Sequence, residues 1–356
     1  MTCDRVLRAL LIAVPFAVAW PLAAQDSTAG RALPPIELHG LMQVQYRAGD
    51  PLTRDTYRLR RANLKLSGEV SPRFRWRIGF DVAKVLTINS TVAKAGDSSA
   101  IETATIDQRS RILLDAALTY TVNPDLKFYI GQQIVPLSLE GSIPASQIET
   151  IERANFIVER SRAVGLGDVR DIGVSANGSA GNLLEYHVGV FNEPGDAQST
   201  TDTNDQKTLI GRLVLHASIM PNLQFGGSGA YEGGSILQHR ERAGGEVQYR
   251  DSLFTLRGEA MAGRDGLLHR FGWYGLGALR PTPRLQLVTR YDAWDRDRLH
   301  ESSIYDAFER QVVVGGTYLV DGPAVQFALN VVRQTFPNIT SVRPGTFLLA
   351  AFQGAW

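Results

Sequence analysis

The chain of 356 residues has little cysteine and little lysine. Its one cysteine, Cys3, has no partner within the chain, which excludes a small fold held together by disulfides. Lysine supplies only five of the 37 basic residues, at positions 65, 84, 94, 127 and 207. The formal net charge is +1. Any preference for charged partners must therefore come from where the charges lie.

The N-terminus has the pattern of a secretory signal. Arg5 and Arg8 precede an apolar stretch, Ala9–Ala24, that ends in small residues and is interrupted by two prolines. It is short for a membrane-spanning helix. We expect residues 1–24 to be a signal peptide and residues 25–35 to be a short segment before the folded domain. A retained membrane anchor is the alternative.

Long apolar runs are missing after this segment, which argues against membrane-spanning helices. Instead, segments of roughly 9–11 residues recur in which apolar and polar side chains alternate. The clearest is 74–82, where every even position is apolar and the odd positions include Arg75, Arg77 and Asp81. A period of two is typical of strands with one apolar face.

The connectors between these strands are of two kinds. Seven short turns, most of them with Pro, Asn, Asp or Gly, are 71–72, 123–125, 179–181, 220–222, 251–252, 281–283 and 321–323. Eight longer polar connectors alternate with them: 47–55, 84–108, 135–167, 193–207, 232–239, 263–269, 295–305 and 335–344. Fifteen connections join sixteen strands.

This rhythm predicts an all-β fold, a transmembrane antiparallel β-barrel of 16 strands over residues 36–356. Strands in hydrocarbon must pair along both edges, so the sheet has to close. Trp356 shares a face with Phe352 and suits the aromatic belt at a membrane interface. A soluble sandwich or solenoid would also alternate but would not explain the two kinds of connector.

The barrel interior carries the predicted chemistry. A barrel of this size encloses water, and placing the apolar positions in lipid turns the alternate positions inward. The inward basic residues are then Arg61, Lys65, Arg73, Arg75, Arg77, Arg111, Arg212, Arg242, Arg250, Arg257 and Arg290. Guanidinium groups bind carboxylate and phosphate through a planar fork, and rings of positive charge select anions. The alternative is that these arginines pair with inward acids and fill space.

The alternation changes phase around Arg58, Arg60 and Arg61. Tyr57 and Leu59 are apolar at odd positions, whereas the residues from Ala62 onward are apolar at even ones. One extra residue in a strand, a β-bulge, would produce such a change.

The longest connector, Val135–Gly167, contains a helix-like run, Ser146–Arg160. Its apolar residues lie near helical spacing, and Ser146 with Glu149 fits a capping box. We expect this long third loop to fold into the lumen and narrow it. The predicted constriction residues are Glu149, Glu152, Arg153, Glu159, Arg160 and Arg162. A surface loop is the alternative.

Five stretches of the sequence resemble the phosphate-selective porin O and P family of Gram-negative outer membranes. They are 58–84 (RLRRANLKLSGEVSPRFRWRIGFDVAK), 113–141, 148–160 (IETIERANFIVER), 170–178 and 184–195. The resemblance implies a sixteen-stranded trimeric porin with an inward-folded third loop. It also implies a path lined by Arg and Lys for small anions such as phosphate.

Signatures of enzymes are missing. The six histidines have no metal-ligand spacing, there is no P-loop, and Ser228 lies in GGSGA, which lacks the second glycine of a nucleophile elbow. We expect no catalysis, metal or cofactor, and lipid and small anions as partners instead of nucleic acid. The predicted function is anion-preferring passive diffusion, with phosphate or polyphosphate as candidate solutes. A non-selective porin and a plugged structural, adhesive or hydrolytic barrel are the alternatives.

Overall fold

The computed structural model describes most of the chain after residue 33. The described residues are 34–49, 55–86, 88–95, 98–106, 112–158, 165–167, 170–192, 206–234, 239–300, 307–339 and 344–356. The expected signal peptide, 1–24, lies outside them.

Sixteen antiparallel strands form a closed barrel, as predicted. In chain order the described strands are β1 (Glu37–Ala48), β2 (Thr56–Ser71), β3 (Phe74–Asp81), β4 (Ile88–Ala95), β5 (Ser98–Ile106), β6 (Leu113–Asn123), β7 (Leu126–Ile134), β8 (Arg170–Ala180), β9 (Leu184–Phe191), β10 (Thr208–His216), β11 (Leu223–Glu232), β12 (Arg240–Arg250), β13 (Phe254–Asp265), β14 (Leu268–Thr282), β15 (Leu285–Asp295), β16 (Phe308–Asp321), β17 (Val325–Thr335) and β18 (Gly345–Ala355). The strands β4 and β5 pair only with each other and form a separate hairpin, so β3 pairs with β6 and β1 closes the barrel on β18.

Exposed apolar side chains and buried side chains alternate along the barrel strands. In β10, Leu209 and Leu213 are 61% and 51% exposed, whereas Ile210 and Arg212 between them are buried. The same alternation on other strands gives the barrel an apolar outer face, which contact with hydrocarbon requires. The inner face carries most of the buried polar and charged side chains.

The barrel closes where Gly40 meets Trp356. The N–H of Gly40 donates to the carbonyl oxygen of Trp356 at 2.9 Å, and the N–H of Trp356 donates to the carbonyl oxygen of Gly40 at 3.1 Å. The Trp356 indole lies directly over Gly40, so that a Cβ at position 40 would stand 2.1 Å from the ring. This close approach requires glycine.

All seven predicted short turns join consecutive strands. One predicted long connector, 263–269, is wrong. Strand β13 continues to Asp265 and β14 begins at Leu268, which leaves Gly266 and Leu267 as a two-residue turn. Gly266 has φ +61°, and glycine at the first position of a two-residue hairpin turn is typical because it adopts positive φ without strain.

Two short helices lie in the connector between β7 and β8: α1 (Leu139–Ser142) and α2 (Asn155–Val158). The helix predicted over Ser146–Arg160 is wrong in its described part, since only 155–158 is helical. The predicted cap at Ser146 also differs, because the capping side chain is that of Ser138, whose Oγ accepts a hydrogen bond from the N–H of Gly141 at 2.9 Å. None of the helices in the described residues is long and apolar enough to cross a membrane.

Contacts with the barrel replace the helical hydrogen bonds of that segment. The N–H of Ile151 donates to Asn330 Oδ1 on β17 at 2.8 Å. The amides of Gln326 and Gln353 donate to the Ser146 carbonyl oxygen at 3.0 and 3.4 Å. Polar groups satisfied by the barrel strands do not need a continuous helix.

An apolar cluster joins the connector to one side of the barrel. Its buried members are Val135, Leu137, Ala154, Phe156, Ile157 and Leu166 of the connector and Phe191, Ile210, Ala230, Met261, Tyr274, Leu276, Ala278, Val288 and Trp294 of strands from β9 to β15. The Phe156 ring centroid lies 6.1 Å from that of Tyr274 and 6.3 Å from that of Trp294. The connector is thereby packed against this side of the barrel.

Candidate functional site

A β-bulge in β2 brings three arginines to one face. Gln43 pairs with Arg61 and Val44 pairs with Leu59, so Arg60 is the extra residue. The phase change predicted here is confirmed. Because the bulge restores the alternation only after Arg60, the side chains of Arg58, Arg60 and Arg61 all reach the connector 135–167.

These three guanidinium groups surround the carboxylate of Glu152, and we call them the arginine cradle. Arg60 holds both carboxylate oxygens, with Nε donating to Oε1 at 2.6 Å and Nη2 donating to Oε2 at 2.7 Å. Arg58 Nη2 donates to Oε1 at 2.8 Å, and Arg61 Nη2 lies 3.8 Å from Oε2. Two parallel bonds to one carboxylate are the strongest geometry available to arginine.

The cradle determines the charge of Glu152. Burial by itself would raise the pKa of this carboxyl, but the charges of Arg60, Arg61 and Arg58 and the bonds from Arg60 hold its pKa well below the ordinary value. The carboxylate is therefore ionised at neutral pH and neutralises part of the positive charge around it.

A cavity of about 500 Å³ lies between the connector and the strands from β2 to β10, and we call it the basic cavity. Its basic side chains are Arg60, Arg61, Lys65, Arg77, Lys84, Arg153, Arg170 and Arg212. Its acidic side chains are Asp81, Asp115 and Glu152. Eight basic side chains thus line this cavity against three acidic ones, and Arg212 among the eight is bound to the carboxylate of Glu246.

A second cavity of about 360 Å³ lies on the other side of the cradle. It is lined by Arg47, Arg58 and Arg290 and by residues of β16, β17 and β18. Both cavities are lined by Arg60, Glu152, Arg153 and Val158. The bond between Arg60 and Glu152 thus stands where the two cavities meet.

Lys65 and Arg77 lie on neighbouring strands within the basic cavity. Asp115 faces two arginines, with Arg170 Nε at 3.3 Å and Arg77 Nε at 3.9 Å from its oxygens. Within the described part of the chain, Lys65 has no carboxylate oxygen within 4.0 Å. Lys65, Arg77 and Arg170 thus lie around the carboxylate of Asp115.

Four of the predicted pore arginines lie in ion pairs with little exposure to water. Arg212 binds both carboxylate oxygens of Glu246, with Nε donating at 3.1 Å and Nη2 donating at 2.5 Å. Arg257 binds Glu149 through two bonds of 2.9 and 3.0 Å. Arg290 Nε lies 2.9 Å from Asp292, and Arg242 Nη2 lies 2.7 Å from Asp265. Of these arginines, Arg212 lines the basic cavity and Arg290 lines the second cavity.

The other predicted site residues fall into three groups. Those that line the basic cavity are Arg61, Lys65, Arg77, Arg212, Glu152 and Arg153. Those at the short-turn end of the barrel are Arg73, Arg75 and Arg250, all remote from the cradle; Arg75 bonds to Glu37 and Glu69 there. Those outside the described residues are Arg111, Glu159, Arg160 and Arg162.

Arg60, Lys84 and Arg170 line the cavity but were missed by the strand pattern. Arg60 was assigned no face because it is the bulged residue, and Arg170 begins a strand directly after the long connector. A bulge placed at the phase change would have turned Arg60 inward. Among the described residues, no group of His, Cys, Asp and Glu is arranged to hold a metal.

The family model of phosphate-selective porin O and P matches residues 40–235, which is more than half of the chain. The chain belongs to this family. Every side chain that lines the basic cavity lies within the matched segment. This porin is accordingly an outer-membrane protein of the Gram-negative type. Compared by sequence, no curated protein matches it.

Solved structures of other porins share the fold. The porin resembles an anion-selective porin from Comamonas acidovorans with a TM-score of 0.59 and 10% identity, over 90% of this chain and 99% of that chain. It resembles OprB of Pseudomonas putida with a TM-score of 0.60 and 8% identity, over 91% and 94% of the two chains. OmpT of Vibrio cholerae gives a TM-score of 0.56 at 10% identity, over 92% and 99%. At such identities the likeness concerns the fold alone.

Proposed function

We propose that this porin lets small solutes diffuse passively across the outer membrane and prefers anions. The observation that carries the proposal is the lining of the basic cavity, eight basic against three acidic side chains. Low-dielectric walls focus the field of such charges into the water between them, which raises the local concentration of anions. It acts as a channel and not as an enzyme.

The described part of the connector 135–167 forms the constriction of this channel and lies within the lumen. Support for this comes from its bonds to strands on different sides of the barrel, Glu149 to Arg257 on β13 and Ile151 to Asn330 on β17. Its apolar side chains pack on the side of β9 to β15. The open path then follows the strands from β2 to β10, with Glu152 and Arg153 at its edge.

Phosphate is the candidate solute, and a homotrimer is the candidate assembly. Arginine forks bind phosphate oxygens as well as carboxylates. The family name refers to phosphate, and one solved OmpT structure is described as a trimer form. The anion-selective porin of the same fold supports the sign of the preference.

The reversal potential of the porin in a planar bilayer under a KCl gradient tests the proposal. We expect the sign of an anion-preferring pore, and we expect added phosphate to reduce the chloride current. A cation-preferring reversal potential would remove the anion preference and leave a porin.

A plugged structural barrel is the second candidate, because the connector buries an apolar cluster against the strands. Reconstituted trimers or monomers that never conduct would favour it over a channel.

A further inference from the structure

Glu152 differs from the other acids of the two cavities. Asp81 and Asp115 belong to barrel strands, whereas Glu152 belongs to the connector. Among the described residues, it is the one connector acid that lines either cavity. Both oxygens of its carboxylate accept hydrogen bonds from Arg60, and Oε1 also accepts one from Arg58. The arginines that would attract a diffusing anion thus already bind the carboxylate of Glu152, which is part of the chain itself.

The backbone at Glu152 is fixed independently of this carboxylate. Arg290 Nη1 donates to the Glu152 carbonyl oxygen at 2.7 Å, and the Thr150 hydroxyl donates to the same oxygen at 2.7 Å. The Glu152 side chain can therefore rotate out of the arginine cradle while the connector keeps its position. Both cavities provide space beside it.

We propose that Glu152 is a tethered ligand of an anion site in the pore, and that small organic carboxylates exchange with it in the arginine cradle. This inference rests on the proposed passage of anions. A free carboxylate has the same planar pair of oxygens as the glutamate side chain, so it can make the same two bonds to Arg60. A phosphate can also make two bonds to the Arg60 fork, but its remaining oxygens stand where the glutamate side chain has only carbon, so a planar carboxylate is the closer match to Glu152.

The exchange also couples occupancy to the width of the path. The bond between Arg60 and Glu152 separates the two cavities, and a small carboxylate that takes the place of Glu152 frees that side chain to move aside. The site thus combines recognition of carboxylates with a side-chain gate.

The test measures the chloride current through single channels of the whole porin while sodium acetate or sodium phosphate is added. In Glu152→Gln, which keeps the shape and removes the charge, we expect a larger chloride current. We also expect acetate to block this variant at about tenfold lower concentration than wild type, the factor given by loss of one competing charge-assisted hydrogen bond. Acetate should block it at lower concentration than phosphate.

Glu69→Gln is the matched control, because it makes the same change of charge at the turn end, where Glu69 bonds to Arg75. It should leave the response to acetate unchanged. Arg60→Lys in the Glu152→Gln background keeps the positive charge but removes the fork, and it should weaken the block by acetate. A rise in the thermal unfolding midpoint with acetate, in Glu152→Gln and not in wild type, checks binding without conduction.

Equal sensitivity of wild type and Glu152→Gln to acetate would overturn the proposal. Stronger block by phosphate than by acetate in Glu152→Gln would overturn the assignment to carboxylates. The reversal potential of wild type tests anion passage separately, so a failure of the proposed function is distinguished from a failure of the cradle.

Discussion

Arg257 on β13 binds both carboxylate oxygens of Glu149 in the connector, and their side chains are only 0% and 3% exposed. Each ion is without bulk water and relies on the other for compensation of its charge. A pair of this kind is costly to break from one side only, because the remaining charge stays buried. The pair therefore anchors the connector to the barrel.

Removing Glu149 should destabilise the porin. We expect Glu149→Ala to lower the free energy of unfolding by about 3–5 kcal/mol, the range for an unpaired buried charge. Urea unfolding of the reconstituted porin measures this free energy. Glu69→Ala, which removes a glutamate at the exposed turn end, is the control. Replacing both partners, in Glu149→Leu with Arg257→Met, should recover most of the loss. A double variant as unstable as Glu149→Ala would contradict this account.

Enlarging Gly40 should disturb the closure of the barrel. A Cβ at this position would overlap the Trp356 indole at 2.1 Å, so Gly40→Val must displace the ring. We expect a lower temperature of conversion from folded to unfolded migration in gel electrophoresis. Gly354→Ala is the control, because a Cβ at position 354 meets no atom within 4 Å. Equal conversion temperatures for the two variants would show that the indole moves without cost.

Neutral replacements at Lys65 and Arg77 should reduce the anion preference. Both side chains line the basic cavity, whereas Arg73 and Arg75 lie at the turn end. We expect the reversal potential under a KCl gradient to move toward zero in Lys65→Gln with Arg77→Gln, and to move less in Arg73→Gln with Arg75→Gln. The opposite order would place the selective charges at the entrance instead of in the cavity.

The contribution of Glu152 to stability should persist into mild acid. Its pKa in the folded porin is lowered by Arg60, Arg61 and Arg58 despite burial. The stabilisation is therefore complete above the ordinary glutamate pKa of about 4.3 and is lost as the pH falls below it toward the folded pKa. The difference in unfolding free energy between wild type and Glu152→Gln should stay constant from about pH 7 to about pH 5.5 and shrink below about pH 4. A difference that already shrinks near neutral pH would contradict a lowered pKa.

Local alternation was enough to predict the sixteen barrel strands, the short turns and the phase change around Arg58, Arg60 and Arg61, but not the separate hairpin of β4 and β5 within the predicted connector 84–108. A period of two is a relation between neighbouring residues, and one extra residue shifts it visibly. The turn at Gly266 was missed because the ends of β13 and β14 beside it contain polar residues. Those strand ends were therefore assigned to a longer connector, 263–269. There the Asp-Gly dipeptide was a better signal than hydropathy.

The partners of the inward arginines could not be read in this way. Arg257 and Glu149 are 108 residues apart, and their bond depends on where the connector packs against the barrel. The helix predicted over Ser146–Arg160 was wrong for the same reason, because the N–H of Ile151 donates to Asn330 on β17 and not to a carbonyl of its own segment. Residue type identified the candidates, and tertiary contacts decided which of them line the cavity.

The described side chains of the basic cavity all fall between Arg60 and Arg212, whereas the strand residues of the apolar cluster run from Phe191 to Trp294. The residues that line the basic cavity and the strand residues that pack against the connector therefore lie largely in successive parts of the chain. We therefore expect substitutions in the first group to change the charge of the basic cavity, and substitutions in the second group to loosen the packing that holds the connector.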